Sequence, residues 1–214
     1  MTLPIAPAPL FGAGVDLLYL SNATIPYNPP TSRGTWDDNA PVTTSKMAIV
    51  PAGASTFIDQ GEGGLQGTQH TTMIIKFGTS ALQANVTISG TLSFCLAMGY
   101  VNSIGSEEAR MHIFVTQGST DTVRGTILTN FNYADITSTY RGVYGNVGLV
   151  TVNALAGDHI IFELGCRFSS GSGDTTIREY YGNTGSVLLG DEDTNVTTRP
   201  AWFRFLNTDL PLIS

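Results

Sequence analysis

A chain of 214 residues with 42 % hydrophobic side chains can bury a sizeable core, yet only 13 % of its residues are charged, about half the usual share for a soluble protein. Ten basic against seventeen acidic residues leave a net charge of −7, and only Lys46 and Lys76 are lysines, which excludes a general electrostatic attraction for nucleic acid or an anionic membrane. Surface polarity must come from Thr, Ser, Asn and Gly, a bias toward exposed β-surfaces and turns and away from charge-laced helices.

The first 51 residues hold eight of the ten prolines, at Pro4, Pro7, Pro9, Pro26, Pro29, Pro30, Pro41 and Pro51. No long helix or central strand fits there except between them. Residues 1–13 read as an extended N-terminal arm, whose Leu3, Ile5, Leu10 and Phe11 have no core of their own and are expected to bind a neighbouring subunit or surface. VDLLYLS, residues 15–21, is expected as a first strand, followed by a Pro-rich loop at about 22–45. The N-terminus lacks the basic region and unbroken apolar run of a secretory signal, and no run of roughly 18 apolar residues occurs, so neither export by that route nor a helical membrane span is expected.

From residue 46 onward short strands alternate with turn residues: KMAIV, TMIIKF, VTISGTLSFCLAM, RMHIFVTQ, VRGTIL, NVGLVTV, DHIIFELGCRF, TTIREYY and AWFRF. Met111, Ile113 and Val115 alternate with Arg110, His112 and Phe114, the period of a strand buried on one face. The expected fold is all-β, an antiparallel β-sandwich of jelly-roll type forming a single domain over residues 14–214. Parity places Cys95 on the face of its strand opposite Phe94 and Leu96, and Cys166 with Phe162 and Leu164, so one thiol is expected inside the sandwich layer and the other outside, both free. The same parity puts His112 with Arg110, and His159 with Glu163 and Arg167, on what reads as the solvent side of a half-buried sheet.

Candidate chemistry is sparse. Asp191, Asp193 and Asn195 begin a calcium-loop spacing, without the glycine and distal glutamate of the full signature, and Asp174 is a further oxygen donor of no fixed place. No metal or cofactor is therefore expected. GxSxG is missing, as are a P-loop and a dinucleotide fingerprint, and the adjacent carboxylates Glu107–Glu108 and Asp37–Asp38 point to opposite sides of an extended chain. The aromatic residues Trp36, Tyr140, Tyr144, Tyr180 and Tyr181 lie among Gly, Ser, Asn and Asp, a mixture that lets rings stack on sugar faces while amides and carboxylates bond hydroxyls; they are the candidates for glycan contact.

GDHIIFELGCRF, then TIREYYGN, then the acidic loop GDEDTNVTTRP closing on AWFRF, together with YLSNAT, FVTQGSTDTVRGTIL and YADITSTYRGVYG, resemble a family of tailed-bacteriophage virion structural proteins. The pattern covers most of residues 16–206 and carries no catalytic motif; the loop PYNPPTSRGTWDDNAP has no counterpart in it. The resemblance implies a β-sandwich or jelly-roll surface module of the capsid-decoration, head-fibre or tail-fibre type. The expectation is a non-enzymatic capsid decoration, cement or head-fibre protein, assembled in the host bacterial cytoplasm and placed on the virion surface. Its expected partners are the major capsid protein or other virion proteins and copies of itself, a trimer by first guess, with no nucleic acid and no membrane. The alternatives are a tail-fibre or tip protein that binds host surface glycan and, behind it, a polysaccharide hydrolase with a convergent carboxylate pair.

Overall fold

The computed structural model describes residues 16–28, 30–38, 43–61, 68–102, 107–168 and 176–212. The arm with Leu3, Ile5, Leu10 and Phe11, and Asp174, lie outside the described residues. Alternating β-branched and aromatic residues form thirteen strands among those described: β1 (Leu17–Leu20), β2 (Thr43–Ala48), β3 (Thr56–Gly61), β4 (His70–Gly78), β5 (Val86–Ile88), β6 (Thr91–Asn102), β7 (Glu107–Thr116), β8 (Val123–Ile136), β9 (Arg141–Gly148), β10 (Val152–Ala154), β11 (His159–Phe168), β12 (Thr176–Tyr181) and β13 (Trp202–Phe205). No helix occurs among the described residues, so the all-β expectation holds.

One layer is built on β6. β9 pairs along one edge of it, β13 and β12 share the other edge end to end, β13 continues to β1, and β12 continues to β3. The second layer runs β4–β11–β7–β8, and β2 joins the two by pairing with β1 and β4. Phe162 of β11 packs on Phe203 of β13 with ring centroids 4.8 Å apart, and Phe94 of β6 on Tyr133 of β8 at 4.7 Å, so the apolar faces of the layers meet in one sandwich core.

Three details depart from the expected order. β2 runs parallel to β4, with Thr43 opposite Ile75, where a wholly antiparallel sandwich is expected. TFIDQG forms β3, a strand whose single exposed Phe57 and polar neighbours carry little apolar signal. VTISGTLSFCLAM divides at Ser89–Gly90 into β5 and β6, and NVGLVTV into the end of β9 and β10, because β5 and β10 peel away to pair only with each other.

Each outer face is covered in part by the chain itself. The Pro-rich segment crosses the outside of β4–β11–β7, and the excursion after β12 covers the outside of β9–β6–β13. His112, His159 and Glu163, expected on a solvent face, are therefore buried, Glu163 completely. The cause is a long-range return of chain that strand parity does not register. Cys166 faces the sandwich interior and Cys95 the opposite side of its strand, as parity requires, yet both are buried and free. Leu189, Val196 and Trp202 close over the outer side of β6, and burial, helped by the negative charges of Asp191, Asp193 and Glu179, pushes the Cys95 thiol up to about 12.

Candidate recognition surface

Glu163 organises the Pro-rich segment. Its carboxylate accepts the backbone N–H of Arg33 at 2.9 Å, the N–H of Gly34 at 2.7 Å and the Trp36 indole N–H at 2.9 Å, with the Lys76 ammonium 3.9 Å away. Lys76 donates in turn to the Pro30 carbonyl at 2.5 Å, and its burial lowers its pKa against the opposing pull of Glu163. A buried charge is tolerated when paired and hydrogen-bonded, and both conditions are met here. Trp36 packs on Gly165, where a Cβ would come within 2.6 Å of the indole ring, and the Arg110 guanidinium sits 5.6 Å from the ring centroid. Asp37 caps the segment by accepting from the Thr71 backbone N–H at 2.8 Å and hydroxyl at 3.0 Å. Trp36 thus serves as an anchor, half-buried with its one polar atom committed.

The other four aromatic candidates divide. Tyr180 of β12 and Tyr140 meet edge to face at 5.4 Å on the outer side of the β3–β12–β6 sheet, and Phe57 of β3 joins Tyr180 at 5.7 Å. Arg178 threads this cluster: its guanidinium is 3.8 Å from the Phe57 ring centroid, 5.5 Å from Tyr140 and 6.0 Å from Tyr180, and it donates two bonds to Asp59 at 2.6 and 2.7 Å. Strand register explains the convergence, since Arg178 lies opposite Asp59 on one side and Gly99 on the other, and Gly99 has no side chain to keep Tyr140 from lying on the sheet. The bonds it donates to Asp59 hold the guanidinium charged. The result is a platform of three rings around a neutralised ion pair, with Phe57 47 % exposed and Val101 of β6 44 % exposed at its margin. Tyr144 stands apart, packed 6.2 Å from Trp202, and Tyr181 turns the other way, edge-on to Phe77. Sequence reasoning missed Phe57, Asp59 and Arg178; only the pairing of β3 with β12 brings them beside the tyrosines.

The acidic loop spends its oxygens internally. Asp193 accepts from the Asn195 backbone N–H at 3.0 Å and side-chain amide at 2.7 Å and from Arg199 at 2.5 Å, and the Asn195 bonds lead in holding its carboxyl below the usual range. Asp191 accepts from the Tyr144 N–H at 3.2 Å, and Glu192 pairs with Arg141. These bonds stitch the excursion to β9. Among the described residues no three metal-binding side chains converge.

No protein-family model matches the chain, and no curated protein matches it. Solved structures similar to it include an α-amino acid ester hydrolase (10 % identity, TM-score 0.48, 93 % of this chain and 36 % of that one) and a CocE/NonD family hydrolase from Staphylococcus aureus (9 %, 0.46, 92 % and 37 %). The VP2 subviral particle of infectious bursal disease virus is also similar (11 %, 0.25, 73 % and 38 %). The chain spans little more than a third of the length of each of these proteins. The expectation of a non-enzymatic protein is corrected by this finding: with hydrolases among its structural likenesses, an all-β chain that lacks a sequence motif gives no ground for placement outside the enzymes. At these TM-scores the likenesses lend the chain neither an activity nor a substrate.

Proposed function

We propose that this chain is a structural module of a tailed-phage virion surface, a capsid decoration, cement or head-fibre protein. The observation that carries this reading is the self-covering of the sandwich: the protein's own long segments overlie the outside of β4–β11–β7 and of β9–β6–β13, one pinned by the buried Glu163–Lys76 pair and the other stitched to β9. Such reinforcement suits a module that holds its shape on a particle exterior, and the acidic, lysine-poor surface suits high local copy number. The arm residues Leu3, Ile5, Leu10 and Phe11 would dock on the capsid or on sister subunits, each fully buried aliphatic side chain contributing about 1.5–3 kcal/mol before ordering costs. Purified particles of the phage that encodes the chain should contain it in many copies. Deleting residues 2–13 should leave a folded, soluble body that no longer incorporates; absence from particles, or normal incorporation of the truncated chain, refutes the reading.

The platform around Arg178 favours a second reading, recognition of a host surface glycan. Three rings flank an ion pair whose charges already cancel, so a neutral sugar could stack there without desolvating a bare charge. On a glycan array, the Tyr140→Ala/Tyr180→Ala double variant should lose any binding shown by the unaltered protein, with each stacked ring worth about 0.5–1.5 kcal/mol. Equal binding by the variant excludes the platform.

A further inference from the structure

At the other end of the sandwich, the hairpin turn joining β7 to β8 carries an exposed serine over a buried histidine. Ser119 Oγ lies 3.4 Å from His159 Nε2, and His159 Nδ1 lies 2.9 Å from the carbonyl oxygen of Thr79. A carbonyl only accepts, so Nδ1 carries the proton and Nε2 presents its lone pair to the serine hydroxyl. The tautomer is fixed by structure. The Tyr27 hydroxyl donates to the same Thr79 carbonyl at 3.1 Å while its ring packs on the imidazole at 4.0 Å.

The turn itself is held in place. Gly118 takes a left-handed conformation (φ 59°), which a side chain would disfavour, and its N–H donates to Asp158 at 3.1 Å. Asp158 is buried and also accepts from the Leu155 N–H at 2.8 Å and pairs with Arg124; although burial raises its pKa, these bonds outweigh it and keep the carboxyl ionised below the usual range. Asp158 is thus a positioning residue, fastening the serine turn to the strand that bears the histidine. Ser119 borders an open cavity of about 230 Å³ with Asn28, Pro30, Thr31 and Asp121. Thr31 donates both its N–H and its hydroxyl to Asp121, at 2.6 and 2.9 Å, whereas the Asn28 carboxamide has no partner among the described residues.

We propose that Ser119 and His159 form a nucleophile–base pair that hydrolyses short-chain acyl esters. A nucleophile within reach of a base that a third group orients is the general arrangement of covalent acyl transfer, and such bonds run long before substrate binds. The Ser119 oxygen bonds to the ester carbonyl carbon as its proton passes to His159 Nε2. The tetrahedral adduct collapses, the bond to the alcohol oxygen breaks, and the alcohol leaves with that proton. Water then gives a proton to Nε2 and adds to the acyl carbon; Ser119 departs with the proton and the carboxylic acid is released. The Asn28 amide is the free donor on the cavity wall for the developing oxyanion. One feature restricts the substrate. The group behind the imidazole is a neutral carbonyl, which stabilises an imidazolium less than a carboxylate does, so an ester with a good leaving group reacts and an amide does not. The cavity beside Ser119, about 230 Å³ and open to solvent, has room for an acetyl or similarly short acyl group, the class chosen for the test.

The test is labelling of the full chain with a fluorophosphonate, followed by peptide mass mapping, alongside hydrolysis of p-nitrophenyl acetate. One adduct on Ser119 and an initial burst of p-nitrophenol are expected. Ser119→Ala, a change on an exposed turn that leaves the core intact, should abolish the adduct and lower turnover about 100-fold or more. Asn28→Ala should slow turnover while the adduct still forms. No adduct on Ser119 under excess reagent, or p-nitrophenyl acetate hydrolysis by Ser119→Ala at the unaltered rate, overturns the proposal. This outcome is independent of where the chain resides.

Discussion

Replacing Glu163 by Ala should destabilise the protein by about 3–5 kcal/mol, the range observed when one member of a buried ion pair is removed. The change leaves the Lys76 ammonium buried without its counter-charge and strips the acceptor from Arg33 N–H, Gly34 N–H and the Trp36 indole at once. Urea unfolding measures the loss. Trypsin gives a second, local readout, because Arg33 is on the surface but its segment is tied to the sheet at both sides. Cleavage after Arg33 should be slow in the unaltered protein and fast in Glu163→Ala. Trp36→Phe, which keeps an aromatic ring on Gly165 and loses only the bond to the carboxylate, should cost about 1.5–3 kcal/mol, the usual worth of a hydrogen bond to a charged group. If Glu163→Ala shifts stability by less than about 1 kcal/mol, the segment is not held by this carboxylate.

Glu179 should behave in the opposite way. It lies on the inward face of β12, completely buried, between Met98 of β6 and Ile58 of β3, and neither carboxyl oxygen has a hydrogen-bond partner among the described residues. Burial raises its pKa well above the usual carboxylate range; the titratable groups it influences, Tyr133 and Cys95, are likewise driven upward by burial and offer it no positive charge. The folded state therefore holds a proton that the unfolded chain releases at about pH 4.3. Between those two pKa values the unfolded state binds fewer protons, so stability falls as pH rises and is greatest below the unfolded value. Glu179→Met, which fills similar space without a polar group, should gain about 1–3 kcal/mol at neutral pH, the cost of an unsatisfied buried polar group. Unfolding midpoints measured from pH 4.5 to 8.5 should show that advantage widening with pH. A constant difference across the range would mean that Glu179 does not titrate between the two states, and a less stable Glu179→Met would mean that its carboxyl has a partner.

Glu163 and Glu179 mark the boundary of what alternation along a strand can reveal. In DHIIFELGCRF the pattern correctly separates Phe162, Leu164 and Cys166 from Glu163 and Arg167, and it assigns the first set to the core. It says nothing of what lies over the other face. Trp36 reaches Glu163 from 127 residues away, and the enclosing contact has no local signature. In TIREYY the same rule places Ile177 with Glu179 and sets Arg178 and Tyr180 on the other face, but it does not show that the carboxylate is enclosed between β3 and β6 while Arg178 and Tyr180 face out into the platform. Tyr140 and Tyr180 were legible as candidates because of their polar surroundings. Phe57, Asp59 and Arg178 were not, since β3 carries only the adjacent Phe57 and Ile58 as apolar residues and its partner strand comes 115 or more residues later in the chain. Ser119 and His159 escaped for the same reason: 40 residues separate them, and no motif spans a hairpin turn and the start of a neighbouring strand.

The amino-acid sequence alone determined the all-β class, the approximate strand positions, the confinement of β1 and β2 to the intervals between prolines and the opposite facing of the two thiols. Each of these depends on interactions within a few residues: φ restriction by proline, β-branched packing and the two-residue period of a strand. Only the tertiary structure decided the parallel entry of β2, the covering of part of each outer face, the burial of Glu163 and Glu179, and the meeting of Arg178 with its rings and of Ser119 with His159. Those depend on which distant strands become neighbours, a choice made by the summed burial of the whole core and the closure of long loops, and so invisible in any short stretch of the chain.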